Sequence, residues 1–496
     1  MQVIRSKTIF AFGAALAIIF ISFCCTQPDE PSGEDIIKGN LGPEIETKLE
    51  SMIKNVIEAY DLPGLAIGIV MDNEIAYARG FGFKNIDKSW PITSKTLFHM
   101  ASISKPFVAT AIMQLVEQDK INLEAPVTTY LPYFKLNDER YKEITIQQML
   151  SHVSGMPDVM DYEWDKPQYD PGALERYVRS LTDRKMRFRP GQRYAYSNMA
   201  FECLGDVIAK VSGMSFADYE KKHILDPAGM KDSTFLKPHH LPENWAAGHL
   251  RSIKTIAWDG YPYNRRHGPS STLHSNALEM CNWAITNINR GTFQKNQILK
   301  SSSYDVLWKP WTQTGRKGIG QSVGLSWFLG EYKGEKTVGH GGGDVGFNTN
   351  FIMLPEKSMA VVVLCNFIPA PVSYISDAAL DILHGYEPRG FTPPASIRVG
   401  KTLAEKGPEA AVKQWNSMKE EHAAEYDFNP RQYYRLVGPT LELNRAEDVK
   451  KLIQLCLKIL PEHDMKNITR VITSYVKRHP DNKAGPAALE ILRKRQ

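Results

Sequence analysis

The sequence predicts an α/β protein of the α+β sandwich kind. An antiparallel sheet is flanked by helices, an all-helical subdomain is inserted into it, and a small helical domain closes the chain. Three observations predict this. Strand-like runs occur at 64–82 and return from 322 to 365, so one sheet must be assembled from distant pieces. Between them, about 125–320, short helical patterns are cut by Pro and Gly. After "RGFTPPAS" (389–396), a boundary rich in Pro and small residues, strand signals stop.

The elements follow in order. Arg5 and Lys7 precede an apolar run from Ile9 to Phe23, then Cys24, Cys25 and the polar "QPDEPSGED". A charged start, a short apolar core and a small-residue exit read as a secretory leader over residues 1–25. The core is too short for a comfortable membrane span. A cysteine ending such a run resembles a bacterial lipoprotein signal, which makes Cys24 or Cys25 the candidate for lipid attachment. Plain secretion and an uncleaved anchor are the other readings. Each takes the rest of the chain out of the cytoplasm, to a periplasmic or outer-surface location, with membrane contact only through the anchor.

A polar linker, 26–44, leads into the main domain, 45–388. Ile45 to Tyr60 is amphipathic at helical spacing. "GLAIGIV" (64–70) and "EIAYARGFG" (74–82) are strands joined by the turn formers Asp72 and Asn73. "SKPFVATAIMQLVEQDK" (104–120) is a helix. "SVGLSWFLG", "KTVGH", "FNTNFIML" and "MAVVVLCNF" are strands, and 372–384 is a closing helix. The C-terminal domain, 395–496, holds four or five helical patterns. "ILPEHD" and "RHPDNK" punctuate two of them alike, a hint of degenerate helical hairpins without a fixed period, and of a surface for a protein partner.

Composition narrows the function classes. Of 496 residues 43% are hydrophobic, ordinary for a globular chain, and the net charge of +5 comes from 60 basic and 55 acidic residues spread along it. That balance gives no reason to expect a nucleic-acid partner. Cys203, Cys281, Cys365 and Cys456 form no C-x-x-C pair and read as buried free thiols. His239, His240, His422 and His463 lack metal-ligand spacing and read as surface residues. Trp308, Trp311 and Trp327 fit core packing better than a cleft wall.

Three motifs carry chemistry. "VGHGGGDVGF" (338–347) fits G-x-G-x-x-G, but a dinucleotide loop needs a helix directly after it and an acidic residue about twenty positions on. Here "FNTNFIMLP" follows Gly346, and no Asp or Glu lies between Lys357 and Ser376. Such glycines instead let backbone N–H groups approach a ligand closely. In "HMASISKPF", Ser102 and Lys105 form S-x-x-K and share a helix face one turn apart, so the amine can reach the hydroxyl and activate it. Ser104 is a second serine, but only Ser102 has Lys three residues later. Tyr196-Ser197-Asn198 adds a phenol, which a nearby cation would help to deprotonate, and an amide that can hold a carbonyl.

S-x-x-K, Y-x-N and H-x-G, in this order, resemble the serine β-lactamase and penicillin-binding-protein-like hydrolases, in their class C β-lactamase, D-Ala-D-Ala carboxypeptidase and esterase branch. The flanks "LFHMASISKPFVATAIMQLVEQDKINLEAPVTTYLP", "ITIQQMLSHVSGMPD" and "FRPGQRYAYSNMAFECLGDVIAKVSGMSFADYEKKHILDPAGM" are similar to that family too, over roughly 45–385. The resemblance implies Ser102 as acyl-accepting nucleophile, with Lys105 and Tyr196 sharing the acid and base work. Asn198 would position substrate and His340 would line the strand edge. Gly342 and Gly343 would lie at the oxyanion hole, whose donors are the amides of Ser102 and Gly343. It implies no metal and no cofactor. The substrate would be a small molecule or peptide: a D-amino-acid peptide of cell-wall type or a small ester. His340, where drug-hydrolysing class C enzymes carry Lys, makes β-lactam hydrolysis the less favoured activity. A non-catalytic binder of penicillin or peptidoglycan fragments is the alternative.

Overall fold

The computed structural model describes residues 37–87 and 90–493; Cys24, Cys25 and the rest of the leader lie outside them. Its centre is an antiparallel sheet in the order Ile37–Lys38, Glu74–Asn85, Gly64–Met71, Met359–Cys365, Phe347–Leu354, Glu335–Asp344, Phe328–Tyr332, Ser322–Val323, Thr312–Gln313. The first long hairpin turns at Asp72 and Asn73, with φ of 52° and 64°. Two consecutive left-handed residues define the tight turn whose twist suits a hairpin, and Asp and Asn tolerate it.

The C-terminal strands of the domain pair with the N-terminal hairpin, as Val361 opposes Ile69 and Val363 opposes Ile67. Alternation along Met359–Cys365 sends Val361, Val363 and Cys365 towards helices Pro43–Tyr60 and Val372–Leu383. Ala360, Val362 and Leu364 face the opposite core, built on helices Ser104–Glu117, Asn198–Ser212 and Ala277–Ile288. Both faces are covered, so the strand reads as an unbroken apolar run. The helix lies very close at Gly68, where a Cβ would stand 2.5 Å from Cys281 Sγ.

The inserted region is not all-helical. It contains a hairpin, His249–Arg251 with Thr255–Ala257, to which Phe367–Ile368 adds in parallel. A second hairpin joins Thr292–Phe293 to Asn296–Gln297, and the main sheet already resumes at Thr312. Strands of two or three residues are too short to show a period of two, so a sequence pattern passes over them.

Five helices follow: Ala395–Glu421, Arg431–Glu442, Ala446–Ile459, Glu462–Arg478 and Ala484–Arg493. The first is interrupted at Gly407, whose φ is 83°, directly before Pro408, which has no N–H to donate. They enclose a core of their own, and Ile253 from the 249–257 hairpin inserts into it. Arg251 donates to Asp61 Oδ2 at 2.9 Å, Lys401 lies 2.9 Å from Asp61 Oδ1, and Ser252 Oγ is 3.1 Å from Thr440 Oγ1. Cys203, Cys281, Cys365 and Cys456 are free and buried. Trp327 is buried in the core, and Trp308 and Trp311 pack against it. His422 and His463 are solvent-facing.

Candidate active site

Ser102 sits in a single 3₁₀ turn, Ala101–Ile103, that runs into helix Ser104–Glu117. Ala101 has φ of 48°, a left-handed conformation that costs about 1–3 kcal/mol in a non-glycine residue and persists only where the surroundings enforce it. Ser104 is one of those surroundings: its Oγ donates to Ala101 O at 2.7 Å and accepts from the Leu273 N–H at 3.0 Å. That engagement distinguishes it from Ser102. Three-residue spacing across the turn leaves Ser102 and Lys105 on one side, with Nζ 3.1 Å from Ser102 Oγ.

Lys105 is fully buried, and its Nζ also donates to Ser270 O at 2.7 Å. Burial pushes the amine down from 10.5 to about 7, against the opposing pull of Glu202, then Asp158 and Asp344. Glu202 is buried on helix Asn198–Ser212, where its Oε1 accepts from Ser270 Oγ at 2.5 Å and lies 3.0 Å from His267 Nδ1. Glu202 is thus the strongest charge holding a proton on Lys105. Replacing it by Gln (Glu202→Gln) removes that pull, lowers the amine further and moves the acid limb of the kcat/KM–pH profile below 7. An unmoved or upward-moved limb contradicts this assignment.

Lys105 Nζ lies 5.0 Å from the centroid of the Tyr196 ring. The ring stacks on buried His152 at 4.2 Å. Here the expectation of an easily deprotonated phenol is overturned: burial, the largest influence, raises the Tyr196 hydroxyl above its ordinary value. Tyr196 therefore rests as a neutral donor. Burial and then the charge of Lys105 hold His152 well below the usual histidine range.

Asn198 opens its helix, which Ser197 caps by accepting from the Ala200 N–H. The Asn198 backbone and Nδ2 both donate to Asp158 Oδ1, at 2.8 and 3.0 Å. Its Oδ1 is buried and has no partner, an acceptor open to an incoming N–H.

His340, Gly342 and Gly343 lie on strand Glu335–Asp344. Pairing with Phe328–Tyr332 ends at Gly339, so from His340 to Asp344 this strand has a neighbour on one side only. Amides alternate between the two sides of a strand, so part of this stretch is unclaimed by any ladder. The free edge rides on the Ser102 turn. A Cβ on Gly342 would stand 2.3 Å from Met100 O and 2.2 Å from Thr349 Oγ1, and Thr349 Oγ1 itself donates to Met100 O at 3.0 Å. His340 is buried, with Nδ1 2.7 Å from Gly341 O and Nε2 unpartnered. Burial, then the charge of Lys105, lowers it to about 3, so a neutral imidazole faces the site.

The structure thus brings Ser102, Lys105, Tyr196, Asn198, His340, Gly342 and Gly343 into one neighbourhood. Sequence reasoning missed Asp158, Glu202, Ser270, Asp344 and Arg316. Glu202 follows Asn198 by one helical turn, a signal that was available. Arg316 belongs to a loop without periodicity; its guanidinium lies 5.3 Å from the Phe328 ring, which meets His340 edge-on at 5.0 Å. Among the described residues no group of His, Cys, Asp and Glu is placed to hold a metal ion.

Known proteins are similar to this chain. "Protein flp" of Staphylococcus aureus (strain MW2) is 25% identical over 342 residues, a match covering 66% of this chain and 65% of its own length. "Unguisins hydrolase ungD'" of Aspergillus campestris is 26% identical over 343 residues, covering 66% of this chain and 62% of its own length. The match therefore spans less than two thirds of these relatives. Among solved structures, the octameric penicillin-binding protein homologue from Pyrococcus abyssi superposes with a TM-score of 0.62 at 28% identity, over 73% of this chain and 82% of its own. The penicillin-binding protein from Bacillus halodurans shares the fold with a TM-score of 0.57, over 67% of this chain and 99% of its own. The family model described as Beta-lactamase matches residues 49–386, which take in every residue of the cleft, and the chain belongs to the Beta-lactamase family.

Proposed function

We propose that this chain is a serine hydrolase that cleaves amide or ester bonds through an acyl-enzyme on Ser102. The observation that carries the reading is the buried Lys105 amine, 3.1 Å from Ser102 Oγ and lowered to about 7. Near neutral pH such an amine exists substantially without its proton, so it can accept the one that Ser102 must lose. Ser102 Oγ attacks the carbonyl carbon, and charge collects on the carbonyl oxygen between the amides of Ser102 and Gly343. Expulsion of the leaving amine or alkoxide needs a proton, supplied from Lys105 through the neutral Tyr196 hydroxyl. Water then repeats the sequence on the ester at Ser102. The Asn198 Oδ1 acceptor suits a substrate with an N–H next to the scissile group.

D-amino-acid peptides of cell-wall type and small esters are the substrates this reading favours. The penicillin-binding neighbours and a relative named as a hydrolase support it. The neutral His340 carries no charge of its own to attract the carboxylate of a β-lactam. The test is to incubate the protein with a panel of chromogenic esters, D-Ala-D-Ala peptides and fluorescent penicillin, and to locate any adduct by peptide mass spectrometry. The expected result is turnover of an ester or peptide, with a transient acyl mass on the Ser102 peptide. A stable adduct without turnover would mark a penicillin- or peptidoglycan-fragment-binding protein instead. No adduct and no turnover with any of them sinks the proposal.

A further inference from the structure

Two amides must hold one oxyanion, yet they come from segments that no local chain geometry links. His99, three residues before Ser102, and Asp344, directly after Gly343, are 245 residues apart in sequence. Their side chains nonetheless meet: His99 Nε2 lies 3.2 Å from Asp344 Oδ2, with His99 fully buried. A carboxylate only accepts, so the ring carries a hydrogen on Nε2, while its buried Nδ1 has no partner. The other carboxylate oxygen is engaged as well. Asp344 Oδ1 accepts from Trp164 Nε1 at 3.1 Å and from the Val345 N–H at 2.8 Å.

Trp164 brings a third segment to the same carboxylate. It lies in the loop of residues 158–168, which begins at Asp158, the partner of Asn198. The Trp164 ring stacks on Tyr162 at 4.7 Å, and the loop is tied down by the Arg266–Glu163 ion pair and by Asn264 Nδ2 donating to Lys166 O at 3.3 Å. One side chain therefore joins the nucleophile segment, the oxyanion strand and the loop that carries the partner of Asn198.

We propose that Asp344 is a positioning residue for the oxyanion hole: its carboxylate holds the strand of Gly343 in register with the Ser102 turn through His99, and fixes the 158–168 loop to both through Trp164. The inference rests on the acyl-enzyme reading above. Oxyanion donors work only when held about 2.7–3.1 Å from the oxygen on which charge develops. The strained Ala101, one residue from Ser102, needs an external hold. Gly342 and Thr349 supply that hold from the buried side of the strand, and Asp344 supplies it at the strand end, beside the amide in question.

The test follows the rate and extent of Ser102 labelling by a fluorophosphonate, whose adduct water does not turn over, by intact mass, in the wild type, Asp344→Asn, Trp164→Phe and the double variant, with circular dichroism melts of each. Steady-state kcat and KM are measured beside them. Asp344→Asn is expected to slow labelling and kcat by about tenfold to a hundredfold, the scale on which a displaced oxyanion donor acts. KM stays within about twofold, because ground-state binding does not use the oxyanion contact. Trp164→Phe, which keeps a ring but loses the N–H, slows labelling less. The double variant is no slower than Asp344→Asn, because Trp164 acts through that carboxylate. In each case labelling still reaches completion. Labelling at the wild-type rate in Asp344→Asn, or losses that multiply in the double variant, overturns the proposal. So does a reduced final extent at an unchanged rate, which means partial unfolding. A wild type that is never labelled on Ser102 refutes the parent reading instead.

Discussion

Methionine at position 105 is expected to lower turnover of an ester substrate by about 10²–10⁴-fold, the range a positioned general base contributes. The same substitution should make the protein more stable below neutral pH. Lys105 is the amine hydrogen-bonded to Ser102 Oγ, and it is fully enclosed. Its ordinary value of 10.5 falls to about 7 in the folded protein, chiefly through burial. The unfolded chain therefore binds this proton more tightly than the folded one. Wild-type stability should rise with pH between about 7 and 10.5, and below 7 the buried charge costs on the order of a few kcal/mol. Met has a similar volume and no proton, so it removes that cost, less the hydrogen bond to Ser270 O. Melting curves over a pH series should show the variant ahead at pH 6, with its lead shrinking towards pH 10. A variant that melts lower at pH 6, or that retains turnover, contradicts the role given to this amine.

Alanine at Gly342 is expected to reduce acylation of Ser102 by about 10²-fold or more, the scale on which misplacement of about 1 Å acts. No left-handed backbone is involved at this position; the reason is space. The new Cβ would lie 2.3 Å from Met100 O and 2.2 Å from Thr349 Oγ1, so the strand and the nucleophile turn must part. Overpacking of that kind also destabilises by about 1–3 kcal/mol. Gly341 provides the internal comparison. A Cβ there meets its nearest atom at 3.6 Å, an ordinary contact, so Gly341→Ala should acylate close to the wild-type rate. Acylation rates and denaturant midpoints of the two variants check this directly, and equal effects would refute the wedge at 342.

What the sequence made legible was whatever repeats at short range. The helix of Lys105 and the long strands of the sheet carry enough periodic residues to be read, and the three motifs mark the cleft. The hairpin 249–257 escaped because its strands have three residues each. Asp344 escaped because its meaning depends on His99, and no local pattern joins residues so far apart. The raised hydroxyl of Tyr196 escaped for another reason. A motif places a phenol beside a cation, but only the folded chain shows that desolvation outweighs that neighbour.

The 249–257 hairpin ties the appended helices to the end of the strand that carries Gly343. At one end its Ile253 is sealed inside the terminal helical core. At the other, the His249 N–H faces Gly346 O, and Gly248 abuts Gly346, in the bend that ends the oxyanion strand. Only the few residues of this ribbon separate the terminal helical core from the bend after Gly343. Removing the final hundred residues would uncover Ile253, the apolar tip of that ribbon, to water.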